Sequence, residues 1–410
     1  MLRRRRIGKD PIQGRELLRF PGEEKDRFVY RRGRRWSRWL KGSRICMVLP
    51  VLMLLFFGII HLINVSMSFV PIFLDDTSQS FLPNWGQRGQ LGEGQSSYPT
   101  DFTRGVIPIN CHSHNDYWRR IPLYEALRYG CTGVEADVWL FSDELFVGHN
   151  TNSLTRNRTF RSMYVDPLIR ILDQQNAAND LASTTLSTAP KNGIFDVDPS
   201  QTVVLLVDFK NDGVEIFPVV SEQIAAFREK GYLTYFDGNT TVSGPITVVA
   251  TGNAPFDLIT ANSQYRDIFF DAPLDRMYEE PSSSEPTLGD QPLPLPRPRT
   301  SGQGTVGTTA TSHFDATNSF YASVSFKKSI GILWGGRISA TQLQLIRGQI
   351  RGARARGLKP RYWGTPSWPV GLRNKLWKVL VEEGVEYLNG DDLPAMTRGN
   401  WGLRKHWGWV

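Results

Sequence analysis

The sequence predicts an α/β protein, a parallel (β/α)8 TIM barrel carried behind a single transmembrane helix. Short apolar runs alternate with helix-patterned stretches from Val106 onward, and about eight such runs fall within roughly 290 residues. One long uncharged apolar segment precedes them all.

Taken from the N-terminus, the first feature is charge. The chain has 410 residues and a net charge of +8. Residues 1–44 hold thirteen Arg and three Lys against five acidic residues, a net +11, which leaves −3 for the remainder. The basic character therefore belongs to a tail, and the +8 is not the footprint of a nucleic-acid-binding domain. No charged residue follows Arg44 until Asp75, and Ile45–Val65 reads ICMVLPVLMLLFFGIIHLINV, long enough to cross the hydrocarbon core. Such a run is longer than the apolar core of a cleaved signal peptide, and it fits an anchor better than a mitochondrial transit peptide. Arginines before the span and acidic residues after it predict a type II signal anchor with the domain in a lumen or outside the cell. The sequons Asn157-Arg158-Thr159 and Asn239-Thr240-Thr241 are compatible with glycosylation there.

The domain plan is a basic tail (1–44), an anchor (45–65), a Ser/Gln/Gly/Pro-rich stalk (66–104), a barrel (105–395) and an aromatic tail (396–410) with Trp401, Trp407 and Trp409. Within the barrel the expected strands are Val106–Asn110, Gly133–Trp139, Thr202–Asp208, Pro245–Ala250, Ile268–Asp271, Tyr321–Ser325, Leu358–Trp363 and Val385–Leu388. Helices are expected at Leu123–Tyr129, Val165–Gln174, Ile216–Glu229, Thr341–Arg354 and Leu372–Glu383. Residues 279–312 are rich in Pro, Ser, Thr and Gly with few bulky apolar side chains, so a disordered insertion is expected. Cys111 closes the first expected strand and Cys131 opens the second. Parallel strands would hold them at opposite ends, so two buried free thiols are expected.

The chemistry concentrates between Cys111 and His149. His112 and His114 follow the first expected strand, and Glu135 and Asp137 sit two apart in the second, projecting to one face. Unpaired carboxylates among Val134, Ala136 and Val138 would be costly to bury, and a divalent cation removes that cost. Oxygen ligands favour Mg2+ or Ca2+ over zinc. The third strand ends with Asp208 and Lys210 on one face, and His149 follows a short hairpin. Two histidines flanking a metal-bound phosphate suit general acid–base work, with Lys210 neutralising a phosphate oxygen. Trp363, and Trp368 in the next loop, are candidate pocket walls.

The segments HSHNDYWR, VEADVWL, SVSFKKSIG and RYWGTPSWP resemble the fungal "altered inheritance of mitochondria protein six" family. More widely, the pattern resembles the phospholipase C-like phosphodiesterases, among them glycerophosphodiester phosphodiesterases and spider sphingomyelinases D. The resemblance runs from about Val106 to Leu393, apart from the insertion. It implies a metal-dependent phosphoric diester hydrolase acting on a lipid head group or glycerophosphodiester. It implies His112 and His149 as catalytic residues, Glu135, Asp137 and Asp208 as metal ligands, and Asn115 and Lys210 on the phosphate. The chain departs from the glycerophosphodiesterase H-R-G and E-N-T elements and has Asn150 after His149, which makes His114 an alternative first histidine.

Three other readings compete. A metal-dependent amidohydrolase shares H-x-H after the first strand but needs more histidines. Of the six, His61 lies in the span, His313 borders the insertion and His406 is in the tail. A glycosyltransferase reading of Asp196-Val197-Asp198 leaves the histidine pair unexplained. A barrel of this type that binds lipid or a protein partner without turnover is the non-enzyme alternative.

Overall fold

A computed structural model describes residues 48–66, 102–177, 190–280 and 304–399. The basic tail, most of the stalk, the central part of the expected insertion (281–303) and the three C-terminal tryptophans lie outside the described residues. The chain divides into two compact units, Met1–Ser96 and Ser97–Val410. In the first, the described residues form one helix, Val48–Ser66, long and apolar enough to cross a membrane.

The second unit holds all eight expected strands in one parallel sheet. In chain order the strands are β1 (Ile109–Ser113), β2 (Cys131–Phe141), β3 (Glu144–Val147), β4 (Val203–Phe209), β5 (Tyr235–Phe236), β6 (Thr241–Val242), β7 (Ile246–Gly252), β8 (Ile268–Pro273), β9 (Ser319–Ser325), β10 (Lys359–Trp363) and β11 (Leu388–Gly390). Their order across the sheet is β10-β9-β8-β7-β4-β2-β1-β11, all parallel, with β3 folding back antiparallel on β2. A separate two-stranded ribbon is formed by β5 and β6. The outer strands β10 and β11 come alongside each other without a backbone ladder between them among the described residues, but Arg361 of β10 donates to Asn389 Oδ1 of β11 at 2.9 Å. The sheet is thus a nearly closed barrel.

The helices connect successive strands and pack on the outside, as parallel pairing requires. Helices Asp166–Gln175, Ala340–Ala355 and Val370–Glu382 match the expected segments to within two residues. The expected Ile216–Glu229 helix is instead two, Gly213–Gln223 and Ala225–Glu229, and Asp212 caps the first by accepting from Val214 N and Glu215 N. From Gly304 the chain runs in turns against the barrel, with Val306 O accepting from Phe256 N at 3.0 Å.

Side-chain alternation sorts each strand into two environments. On β4, Val203, Leu205, Val207 and Phe209 join the large core between sheet and helices. Val204 and Leu206 face inward and pack with Val249, Phe269, Tyr321 and Tyr387 into a closed apolar floor within the barrel. Asp208 continues the inward series one step further, so the floor gives way to charge toward the carboxyl end of the same strand.

The cysteine expectation is corrected. Cys111 and Cys131 form a disulfide with Cα atoms 4.9 Å apart. The first strand starts three residues later than expected, because Pro108 offers no N–H to the ladder. Ile109 pairs with Cys131 and His112 with Gly133, three residues spanning two, and this irregularity draws Cys111 level with the start of β2.

Candidate active site

Register delivers the acidic cluster. Asp137 on β2 lies directly opposite Asp208 on β4, with Glu135 opposite Leu206 one inward position below. One ligand oxygen from each of Glu135, Asp137 and Asp208 lies within 4.8 Å of the other two. Glu135 and Asp137 are buried, and Asp137 Oδ1 has no hydrogen-bond partner. Gly252, at φ +69°, leaves space that a Cβ would take from Asp208 Oδ1.

Lys210 leaves the end of β4, its N–H donating to Val138 O, and its ammonium sits 2.6 Å from Asp208 Oδ2 and 2.8 Å from Asp137 Oδ2. One ammonium against three carboxylates leaves the cluster negative. Burial, then Glu135, pushes Asp137 up to about 6. Burial outweighs Lys210 and, with Asp137 and Glu135, pushes Asp208 up to about 7. Burial opposes the charge of Glu135 too, but His114 and His112 hold it below the ordinary carboxylate range. Two carboxylates forced toward protonation by burial and by neighbouring carboxylates, with one oxygen unsatisfied, suit a divalent cation better than a purely internal ion pair. The site residues therefore fit the expected metal.

The hairpin supplies His149. Pairing of Val138 with Val147 turns the chain back over Asp137, and Gly148 N donates to Asp137 O. The His149 side chain is half exposed, with Nδ1 3.2 Å from Tyr117 Oη and 3.5 Å from Asp137 Oδ2, and its ring lies 5.0 Å from that of Trp118.

The two histidines of H-x-H part company. His112 is wholly buried inside β1, with Nδ1 3.3 Å from Tyr321 Oη, and Nε2 faces Glu135 Oε2 at 3.6 Å without a hydrogen bond. A Cβ at Gly133 would come within 2.5 Å of its ring, so the glycine makes the room. Burial, then Arg361, pushes His112 down to about 4. His114 reaches the mouth, partly exposed, with Nδ1 3.1 Å from Asp391 Oδ1. There burial works against protonation, but Glu135 and Asp391 prevail and raise its pKa. Asn115 adopts left-handed backbone (φ 48°), donates its N–H to Glu135 Oε2 at 3.3 Å and accepts from Tyr117 Oη at 2.7 Å.

The structure thus brings His112, His114, Asn115, Glu135, Asp137, His149, Asp208 and Lys210 to one end of the barrel. Trp363 ends β10 on the inward face with a buried, unpartnered Nε1, whereas Trp368 is 79% exposed. Sequence reasoning missed Tyr117, whose hydroxyl also lies 2.7 Å from Asp137 Oδ2 and links the acidic cluster to His149. It also missed Arg361, buried and held by Asp271 at 3.2 Å and by Ser323 and Asn389. Both lie in motifs already singled out, HSHNDYWR and RYWGTPSWP. A hydroxyl or guanidinium inside a motif was the available signal.

Comparison with known proteins places this geometry. Residues 100–271 match a family described as the AIM6-like phosphodiesterase domain. "Altered inheritance of mitochondria protein 6 homolog" of Arthroderma benhamiae is 38% identical, covering 73% of this chain and 86% of that protein. "Altered inheritance of mitochondria protein 6" of Eremothecium gossypii is 32% identical over 76% of this chain and 75% of its own. The Saccharomyces cerevisiae protein of the same name is 34% identical over 71% of each. No solved structure matches. Identity at this level over most of both chains shows that the protein belongs to the altered inheritance of mitochondria protein 6 family.

Proposed function

We propose that the protein is a metal-dependent phosphoric diester hydrolase with a phospholipase C-type (β/α)8 barrel. The observation that carries the reading is the convergence of Glu135, Asp137 and Asp208, with an unsatisfied Asp137 oxygen, beside a mouth histidine. Those three carboxylates would hold one Mg2+ or Ca2+, which supplies charge neutralisation at a phosphate oxygen when bound.

The protein's own groups do the rest. Lys210 neutralises a second phosphate oxygen as a point charge, and the Asn115 side chain donates to the same group. His149, at the mouth and oriented by Tyr117, exchanges a proton with the substrate on one side. A histidine of the H-x-H pair at the end of β1 serves on the other: one imidazole takes the proton of the attacking hydroxyl or water, and the other protonates the leaving alkoxide. His112 fills this role in the resemblance, with His114 as its alternative. Trp363 walls the pocket. The substrate is a phosphodiester of lipid head-group or glycerophosphodiester type, and the barrel faces a lumen or the cell exterior. The Cys111–Cys131 disulfide suits that oxidising compartment, and Asn157 and Asn239 are both exposed for glycosylation.

The Lys210 ammonium between Asp137 and Asp208 favours a second reading, a charge-compensated barrel that binds such a ligand without turnover. The purified chain is to be assayed against a phosphodiester panel with and without chelator. Chelator-sensitive turnover, reduced ~10²–10⁴-fold by His149→Ala with folding intact, supports the hydrolase. Cation-independent binding without turnover supports the second reading. His112→Ala and His114→Ala separate the two candidates of the H-x-H pair, and full activity in both would remove the two-histidine mechanism.

A further inference from the structure

The two most exposed large apolar side chains of the barrel unit, Trp334 at 83% and Trp368 at 79%, lie in the loops after β9 and β10. Ile332 and Val370 are exposed beside them in sequence, and Trp118, exposed after β1, touches His149. All follow carboxyl ends of strands, the end that carries the acidic cluster. The strands concerned lie within one run of four neighbours, β9-β10-β11-β1, since β9 pairs with β10, β11 pairs with β1, and Arg361 links β10 to β11. One sector of the mouth is therefore rimmed by indoles that no core requires.

The same loops are basic. Residues 326–339 contain Lys327, Lys328 and Arg337, residues 364–375 contain Arg373 and Lys375, and neither stretch has an acidic residue. Lys327, Lys328, Arg337 and Lys375 are exposed and make no ion pair among the described residues. This runs against the −3 carried by the chain after residue 44. Exposed indoles between unpaired cations match an anionic bilayer surface, where tryptophan settles at the headgroup level and Lys and Arg meet acidic lipids.

We infer that the Trp334–Trp368 rim docks on the headgroup layer of an anionic membrane, turning the mouth of the site toward the lipid. The inference goes beyond the phosphodiesterase reading and is measured without turnover. The apolar Val48–Ser66 helix makes a bilayer available to the chain, and 35 residues (67–101) separate it from the described barrel unit, a reach of at most ~120 Å when extended. Charge complementarity selects lipid over the chain's own residues 400–410, which add further cations (Arg404, Lys405) rather than anions to meet the unpaired cations of these two loops.

The full chain, with Cys46→Ala, carries a fluorophore at Trp334→Cys or Trp368→Cys and, as a control on the amino side of β7, at Ser243→Cys. It is reconstituted in phosphatidylcholine vesicles with and without phosphatidylserine, and brominated lipids serve as the quencher. Quenching is expected at 334 and 368 but not at 243. It should require phosphatidylserine and be lost in Lys327→Glu/Lys328→Glu. Quenching at the rim no greater than at 243, or indifferent to both phosphatidylserine and charge reversal, overturns the inference. So does a rim shielded from aqueous quencher only while residues 400–410 are present, which would assign the surface to the tail.

Discussion

The lower and upper halves of the barrel interior come from the same strands and face the same axis, yet they obey opposite rules. Below, Val204, Leu206, Val249, Phe269, Tyr321 and Tyr387 close a floor of apolar and aromatic side chains. Toward the mouth, Asp137 and Asp208 lie one inward step beyond Glu135 and Leu206, and the three carboxylates crowd together with one ammonium, which meets the two aspartates. Beside them Arg361 is buried and neutralised against Asp271, Ser323 and Asn389. The floor should stabilise the fold, whereas like charges crowded at the mouth should cost stability that a bound cation would offset. Substitutions should therefore separate the halves, lowering stability at the floor and at the Arg361 network and altering ligand response at the mouth.

The largest stability loss is expected at the Arg361 network. Arg361→Met leaves Asp271 buried without its cation and should cost ~3–5 kcal/mol, read as a shift in urea midpoint with or without metal. Leu206→Ala in the floor should cost ~2–5 kcal/mol through lost burial and a cavity, again without changing the metal response. A floor variant that lost metal binding while keeping its stability would break the division proposed here.

A subtler effect is expected from pH. Asp137 is held near 6 and Asp208 near 7, above the ordinary aspartate value of 3.8. Raised folded-state values mean that the metal-free folded chain binds protons more tightly than the unfolded chain between about 4 and about 7. These two groups therefore withdraw stability as pH rises through that window. A cation needs them deprotonated, so its stabilising increment should grow over the same window. The difference in melting temperature between the wild type and Asp137→Asn, followed from pH 4 to 7.5 in chelator, isolates the contribution from other titrating groups. A difference independent of pH would contradict the proposed crowding of charge.

The eight strands were legible because apolar runs bounded by turn residues survive as a pattern even when both faces are buried. Their limits were less legible. In VIPIN the apolar run begins at Val106, but Pro108 delays the ladder, and that shift placed His112 within β1 and Cys111 beside Cys131. The carboxylates were legible because E-x-D and D-x-K are out of place in apolar strands. Tyr117 and Arg361 were not, because a tyrosine in a loop and an arginine in KPRYW look ordinary until the barrel closes around them. The opposite fates of His112 and His114, one sealed and one at the mouth, depend on where a strand ends, which spacing alone does not determine.

In the proposed site Glu135, Asp137 and Asp208 together hold one divalent cation. The most direct measurement is calorimetric titration of Mg2+ and Ca2+ into the chelator-stripped chain, wild type against Asp137→Asn, with melting temperature recorded alongside. The wild type should bind near one equivalent with a metal-dependent rise in melting temperature, both lost in Asp137→Asn although that variant is no less stable without metal. Equal binding by the two proteins, or none by the wild type, would contradict that assignment.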